Sequence, residues 1–105
     1  MSEDLINSWE LWVKKIAQAA IKVLGECKVY VFGSMVEGRV GEKCDIDVLI
    51  VSSNVPERID ERAAIKESIE DLAELPLYHP FEIHLATPKE AKWYWKHIGK
   101  AIRVI

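Results

Sequence analysis

YVFGSMVEGRVGEKCDIDVLIV, residues 30–51, is the stretch on which the reading of this chain turns. An apolar run ends at Gly33-Ser34, ten residues intervene, and Asp45-Ile46-Asp47 opens a second, stronger apolar run that continues to Ser52. Side chains two apart on a strand point the same way. Asp45 and Asp47 should therefore project together while Ile46 turns into a core. Neighbouring carboxylates repel each other and resist unpaired burial, and a divalent cation removes both objections. Oxygen ligands suit Mg²⁺ or Mn²⁺, ions that usually arrive with substrate phosphates. Gly33-Ser34 supplies a complementary half. A glycine turn leading into a helix exposes backbone N–H groups to an anion, and the Ser34 hydroxyl can donate to a phosphate oxygen. A Gly-Ser pair is an ordinary turn and Asp-x-Asp an ordinary strand end. Their combination between two apolar strands is more specific.

Outward from this segment the pattern is regular. Residues 4–24 read as a helix whose stripe is Trp9, Trp12, Val13, Ile16, Ala20, Val23 and Leu24, stopped by Gly25. Lys28 to Phe32 is the first strand, and a short helical connection is expected after Gly33-Ser34. Asn54-Val55-Pro56 ends the second strand and introduces a helix over residues 57–74, with Ile59, Ala63, Ile65, Ile69 and Leu72 as its buried side. Pro76 and Pro80 bracket a connector. Phe81 to Ala86 alternates as a third strand. Thr87-Pro88-Lys89-Glu90 is a capping box with proline at the first helical position, so a last helix starts there. Residues 101–105 suit a short strand or a contact surface. One domain over residues 1–105 is expected, an α+β fold with a small mixed sheet covered by helices mainly on one face.

Composition narrows the function classes. Fourteen Lys and Arg against seventeen Asp and Glu leave a net charge of −3. The basic residues are scattered, which argues against a nucleic-acid footprint. No apolar stretch approaches a membrane span of about 20 residues. The acidic start, Met1-Ser2-Glu3-Asp4, lacks the basic opening of a signal peptide, so a cytoplasmic location is expected. Cys27 and Cys44 form neither a zinc pattern nor a disulfide framework and read as reduced, buried thiols. Gln18 is the single glutamine, and Asn7 and Asn54 are the only asparagines. Such charged-rich, amide-poor chains are commoner in thermophiles.

The pattern hydrophobic–Gly33-Ser34–ten residues–Asp45-Ile46-Asp47–hydrophobic resembles the signature of the DNA polymerase beta nucleotidyltransferase superfamily, and Gly38 falls where these proteins often carry a further glycine. The chain looks like the minimal nucleotidyltransferases of that superfamily from its first helix to its third strand. The resemblance implies that Asp45 and Asp47 are metal ligands, that Gly33 and Ser34 hold the triphosphate, and that a third carboxylate stands on a neighbouring strand. Glu82 is the candidate for that third position, as metal ligand or as general base for the attacking hydroxyl. His84, on the same strand face, could touch phosphate or tune Glu82, or could simply be exposed. Two departures are Met35, where many relatives have arginine, and Cys44, where serine is common. Arg39, Lys43 or a partner could replace the missing phosphate contact.

Relatives with defined substrates usually carry a further helical domain for the base and the acceptor. Here those tasks are expected to fall to a second copy or a partner. The resemblance implies a HEPN-domain protein as that partner, in a toxin–antitoxin pair with this chain as antitoxin. The leading expectation is Mg²⁺-dependent transfer of a nucleoside monophosphate, AMP from ATP, to a hydroxyl on the partner, with Asp45, Asp47 and Glu82 as catalytic and metal-binding residues. The alternative is a module that neutralises its partner by masking it. A third reading is an unrelated phosphate-binding domain without a metal between Asp47 and Glu82. Trp93-Tyr94-Trp95 cannot all face one core from one helix. Either Trp93 is core and its neighbours cover loops, or the cluster anchors an interface.

Overall fold

The computed structural model describes residues 8–33 and 46–105. The expected connection after Gly33, with Ser34, Met35, Gly38, Arg39, Lys43, Cys44 and Asp45, lies outside the described residues, as does the expected first turn of the leading helix. Among the described residues, three helices and four strands follow one another as α1 (Trp9–Leu24), β1 (Lys28–Phe32), β2 (Ile46–Val51), α2 (Ile59–Leu72), β3 (Phe81–Ala86), α3 (Pro88–His97) and β4 (Ala101–Arg103).

The sheet runs in the order β3-β2-β1-β4. β1 pairs antiparallel with β2 and with β4, whereas β2 and β3 are parallel with α2 as their crossover. Strand alternation then sorts the side chains. Val29, Val31, Ile46, Val48, Ile50, Phe81, Ile83 and Leu85 face α1 and α2 in the main core. Leu49, Val51 and Ala86 look the other way, where Ala91, Tyr94 and Ile98 cover them. Two helices thus lie on one face and α3 on part of the other. This is the mixed α+β architecture expected, and the part of the second face beyond α3 is where polar strand residues emerge among the described residues.

α1 forms because Val13, Ile16, Ala17, Ala20 and Leu24 line one stripe, and all are buried. Each large aliphatic side chain so buried contributes about 1.5–3 kcal/mol. Gly25 ends the helix at a φ of 79° and donates its N–H to Ile21 O at 2.8 Å. Asn54 also serves that terminus, giving its Nδ2 proton to Leu24 O at 2.7 Å, while Ser52 Oγ donates to Glu26 O at 2.9 Å. The residues that break β2 therefore also tie its end to the α1–β1 turn.

α2 departs from expectation. Within it only Ile69 is buried, with Ile65 partly so, and the stripe continues to the buried Ala73 just past its end. Ile59 is 84% exposed and Leu72 50% exposed, and Ala63 is exposed as well. The helix meets α1 along the four-residue spacing of Ile65, Ile69 and Ala73, so apolar residues off that line have nothing to cover them. Cys27 is partly buried, and burial raises its thiol pKa. β4 fulfils the strand expectation for the tail, with Val104 N donating to Val29 O at 2.7 Å.

Candidate functional site

Asp47 is the single polar side chain in β2, set between the fully buried Ile46 and Val48. Because Ile46 faces the main core, Asp47 must emerge on the opposite face, beyond the cover of α3. The parallel register sets Glu82 directly beside it, and the antiparallel register sets Phe32 on its other side. Gly33 follows Phe32 at the end of β1 with a φ of 109°, a backbone conformation that side chains with a Cβ rarely adopt. The chain order thus brings Gly33 to one flank of Asp47 and Glu82 to the other. Ser34 and Asp45, the remaining candidates, lie outside the described residues.

His84 is the residue whose role the sequence left open. Two positions beyond Glu82, it shares that face, and its Nε2 lies 3.1 Å from Asp47 Oδ1. The two side chains are 25% and 20% exposed. One ligand atom from each of Asp47, Glu82 and His84 can be chosen so that all lie within 4.8 Å of one another. Donors on opposite sides of one first-row divalent ion are about 4.2 Å apart, twice a bond of about 2.1 Å. A group this close fits a divalent cation after adjustments of a few tenths of an ångström.

The imidazole rests among aromatic rings. Its centroid is 5.6 Å from that of Phe32 and 5.8 Å from that of Tyr94, which is itself 6.4 Å from Phe32. Burial raises the Tyr94 pKa, the charges of Glu90, Asp47 and Glu82 raise it further, and Arg62 opposes them. The phenol stays a protonated donor. Of the α3 aromatics it is Tyr94, not Trp93, that turns inward. Trp93 is 60% exposed, its ring stacked 4.2 Å from that of His97. Trp95 packs edge-on against Tyr30 at 4.7 Å and remains exposed. The periodicity of α3 did not distinguish these positions; the contact with His84 and Phe32 does.

Beside His84, along β3, a cleft of about 210 Å³ is lined by Ile59, Arg62, Ala63, Lys66, Leu85 and Tyr94. Arg62 is committed there, donating to Pro56 O at 2.6 Å and to Glu90 Oε1 at 2.8 Å. β3 is an outer strand of the sheet, so this cleft lies on the side of Glu82 away from β1 and Gly33.

The profile of the nucleotidyltransferase domain family matches residues 13–103. No curated protein matches the sequence. A crystal structure provisionally described as a nucleotidyltransferase is 32% identical, with 88% of this chain and 96% of that one aligned at a TM-score of 0.64. A second, from Sulfolobus solfataricus and described in the same provisional terms, aligns over 97% of this chain and 84% of its own at a TM-score of 0.68. Its identity of 15% makes it evidence for the fold alone.

Proposed function

The chain belongs to the nucleotidyltransferase domain family, and from that premise we propose that it transfers AMP from ATP to a hydroxyl on a partner protein, using Asp45, Asp47 and Glu82. The observation that carries this reading is the pairing of Asp47 with Glu82 across β2 and β3, with Gly33 on the opposite flank. Divalent cations, Mg²⁺ or Mn²⁺, held by these carboxylates would neutralise the charge that builds on the transferring phosphate.

The chain's own groups supply the rest. Gly33 and Ser34 offer backbone and hydroxyl donors to the β- and γ-phosphates. The acceptor oxygen forms a bond to the α-phosphorus as the α–β anhydride bond breaks, and pyrophosphate leaves. The acceptor's proton passes to a carboxylate oxygen of Glu82. In-line displacement requires acceptor and leaving group on opposite sides of the phosphorus. With the triphosphate on the Gly33 flank, the acceptor enters from the Glu82 flank, where the cleft under Tyr94 opens.

The preferred acceptor is a hydroxyl of a HEPN-domain protein, with this chain as its antitoxin. A second reading, masking of the same partner without chemistry, draws on the exposed Trp93 and Trp95. Incubation of the purified pair with α-labelled ATP and Mg²⁺ tests the first. Label should appear on the partner with the parent chain and not with Asp45→Asn/Asp47→Asn. An unlabelled partner that is nonetheless neutralised would overturn the catalytic reading.

A further inference from the structure

We propose that His84 is itself a ligand of the divalent cation at Asp47 and Glu82, and that its imidazole tilts the site from Mg²⁺ toward borderline transition ions, Mn²⁺ first. The inference rests on the metal site of the preceding reading and adds to it a nitrogen donor. Glu82 and His84 stand two apart on β3 and share a face, and the register brings Asp47 beside Glu82. The three ligand atoms converge within 4.8 Å, and Nε2 is the imidazole atom pointing at Asp47. A hydrogen bond to Asp47 alone would account for one of these relations. The register adds Glu82 at the same point, so the imidazole meets two carboxylates and not one.

The ring is also held. Phe32 and Tyr94 pack near it at 5.6 and 5.8 Å, so little rotamer freedom remains to be lost when an ion binds. The contrast with the other histidines of the chain is instructive. His79 accepts from Phe81 N through Nδ1 at 3.2 Å, which leaves its Nε2 as the donor to Glu70, 2.6 Å away. His97 is bonded through Nδ1 to Trp93 O at 2.7 Å. Both are engaged with their own surroundings, and only His84 has two carboxylates within ligand distance among the described residues.

The chemistry of the donor set then fixes the preference. Mg²⁺ favours an all-oxygen shell, whereas imidazole suits first-row transition ions and raises their affinity relative to Mg²⁺. A site of two carboxylates and one imidazole should discriminate where a site of carboxylates alone would not.

Pulsed electron paramagnetic resonance of the full chain with Mn²⁺ alone reads the bond directly. The parent protein should show ¹⁴N coupling from one bound imidazole. His84→Gln, with its fold verified by circular dichroism, should lose that coupling. Its Mn²⁺ affinity should fall on the order of tenfold, the low end of what ligand-environment changes cost, with a smaller change for Mg²⁺. His79→Gln should leave the coupling intact. Mn²⁺ that binds in an Asp47-dependent manner without ¹⁴N coupling, or an unchanged Mn²⁺ to Mg²⁺ affinity ratio in His84→Gln, would overturn this inference and leave the carboxylate site standing. Absence of any Asp47-dependent binding of either ion would overturn both.

Discussion

Asp47 has apolar neighbours along its own strand and on β1, and the carboxylate of Glu82 beside it on β3, so its charge depends on what else meets it on that face. His84 provides one hydrogen-bonding contact at 3.1 Å, and a bound cation would provide a stronger one. Ligands that bind only the native state stabilise it by mass action, about 1.4 kcal/mol at ten times the dissociation constant. For a chain of this size that raises Tm by about 4–8 °C per kcal/mol. Mg²⁺-ATP should therefore raise the melting temperature of the parent by several degrees and leave Asp47→Asn unmoved. A thermal shift equal in both proteins would exclude Asp47 from the site. Gly33 makes a different kind of demand. At a φ of 109° any Cβ is strained, so Gly33→Ala should lower stability by about 1–2 kcal/mol without ligand and also weaken ATP binding. Denaturant titration with and without ATP separates the two effects. At this scale the sequence was most informative, because period-two alternation alone puts Asp47 opposite Ile46 and Glu82 opposite Ile83. The closeness of His84 to Asp47 was not legible, since it depends on which strand lies beside which.

The ends of α2 and α3 show how local chemistry sets an element. α2 closes with Leu75 N donating to Glu70 O and Glu74 N to Asp71 O, both at 3.1 Å, the paired bonds of a Schellman motif. Glu74 occupies its left-handed position at a φ of 57°. Glycine takes that conformation without the Cβ penalty, so Glu74→Gly should stabilise the protein by about 1 kcal/mol in denaturant unfolding. A loss of stability would mean that the Glu74 side chain has an interaction worth more than the strain. α3 opens with its capping box complete, Thr87 N donating to Glu90 Oε1 at 2.9 Å and Glu90 N to Thr87 Oγ1 at 3.3 Å. The backbone N–H of Thr87, then Arg62, hold the Glu90 pKa below the usual glutamate range. A depressed carboxylate stabilises the fold above its ordinary pKa and loses that contribution as pH falls through the lowered value. The deficit in Tm of Glu90→Gln relative to the parent should be full at neutral pH and shrink below about pH 4.3. A deficit independent of pH would show that the cap works without its charge. The capping box was readable from Thr87-Pro88-Lys89-Glu90. Its tie to Arg62, 28 positions earlier, was not.

At the scale of the molecule, the sheet order decides what can meet. β2 lies between β1 and β3, so the Gly33 turn and Glu82 flank Asp47 from opposite sides. Among the described residues, α3 covers the far end of that face and does not extend over the Asp47 end. Its outward side carries Trp93, which is available to a partner. Asp45→Asn/Asp47→Asn should then still bind the proposed HEPN-domain partner in a pull-down but fail to protect cells that express it. Trp93→Ala should weaken capture itself. If the aspartate double variant protects as well as the parent while Trp93→Ala does not, the chain acts by masking.

The sequence by itself determined the kinds and order of the described elements, because burial periodicity, proline, glycine and the capping box act over a few residues and are written in adjacent positions. β1, β3 and the start of α3 fall where those signals put them. It also marked Asp45 and Asp47 as a carboxylate pair and, through the resemblance, Glu82 as the third candidate; the register of β2 and β3 is what sets Glu82 beside Asp47. Only the tertiary structure decided which apolar residues of α2 are covered, because Ile59 and Leu72 differ from Ile69 in what lies opposite and in nothing local. It likewise chose Tyr94 over Trp93 as the inward aromatic and brought His84 within 3.1 Å of Asp47. Those outcomes depend on strand pairing and helix placement across 37 positions of separation for Asp47 and His84, a range at which no local pattern constrains contact.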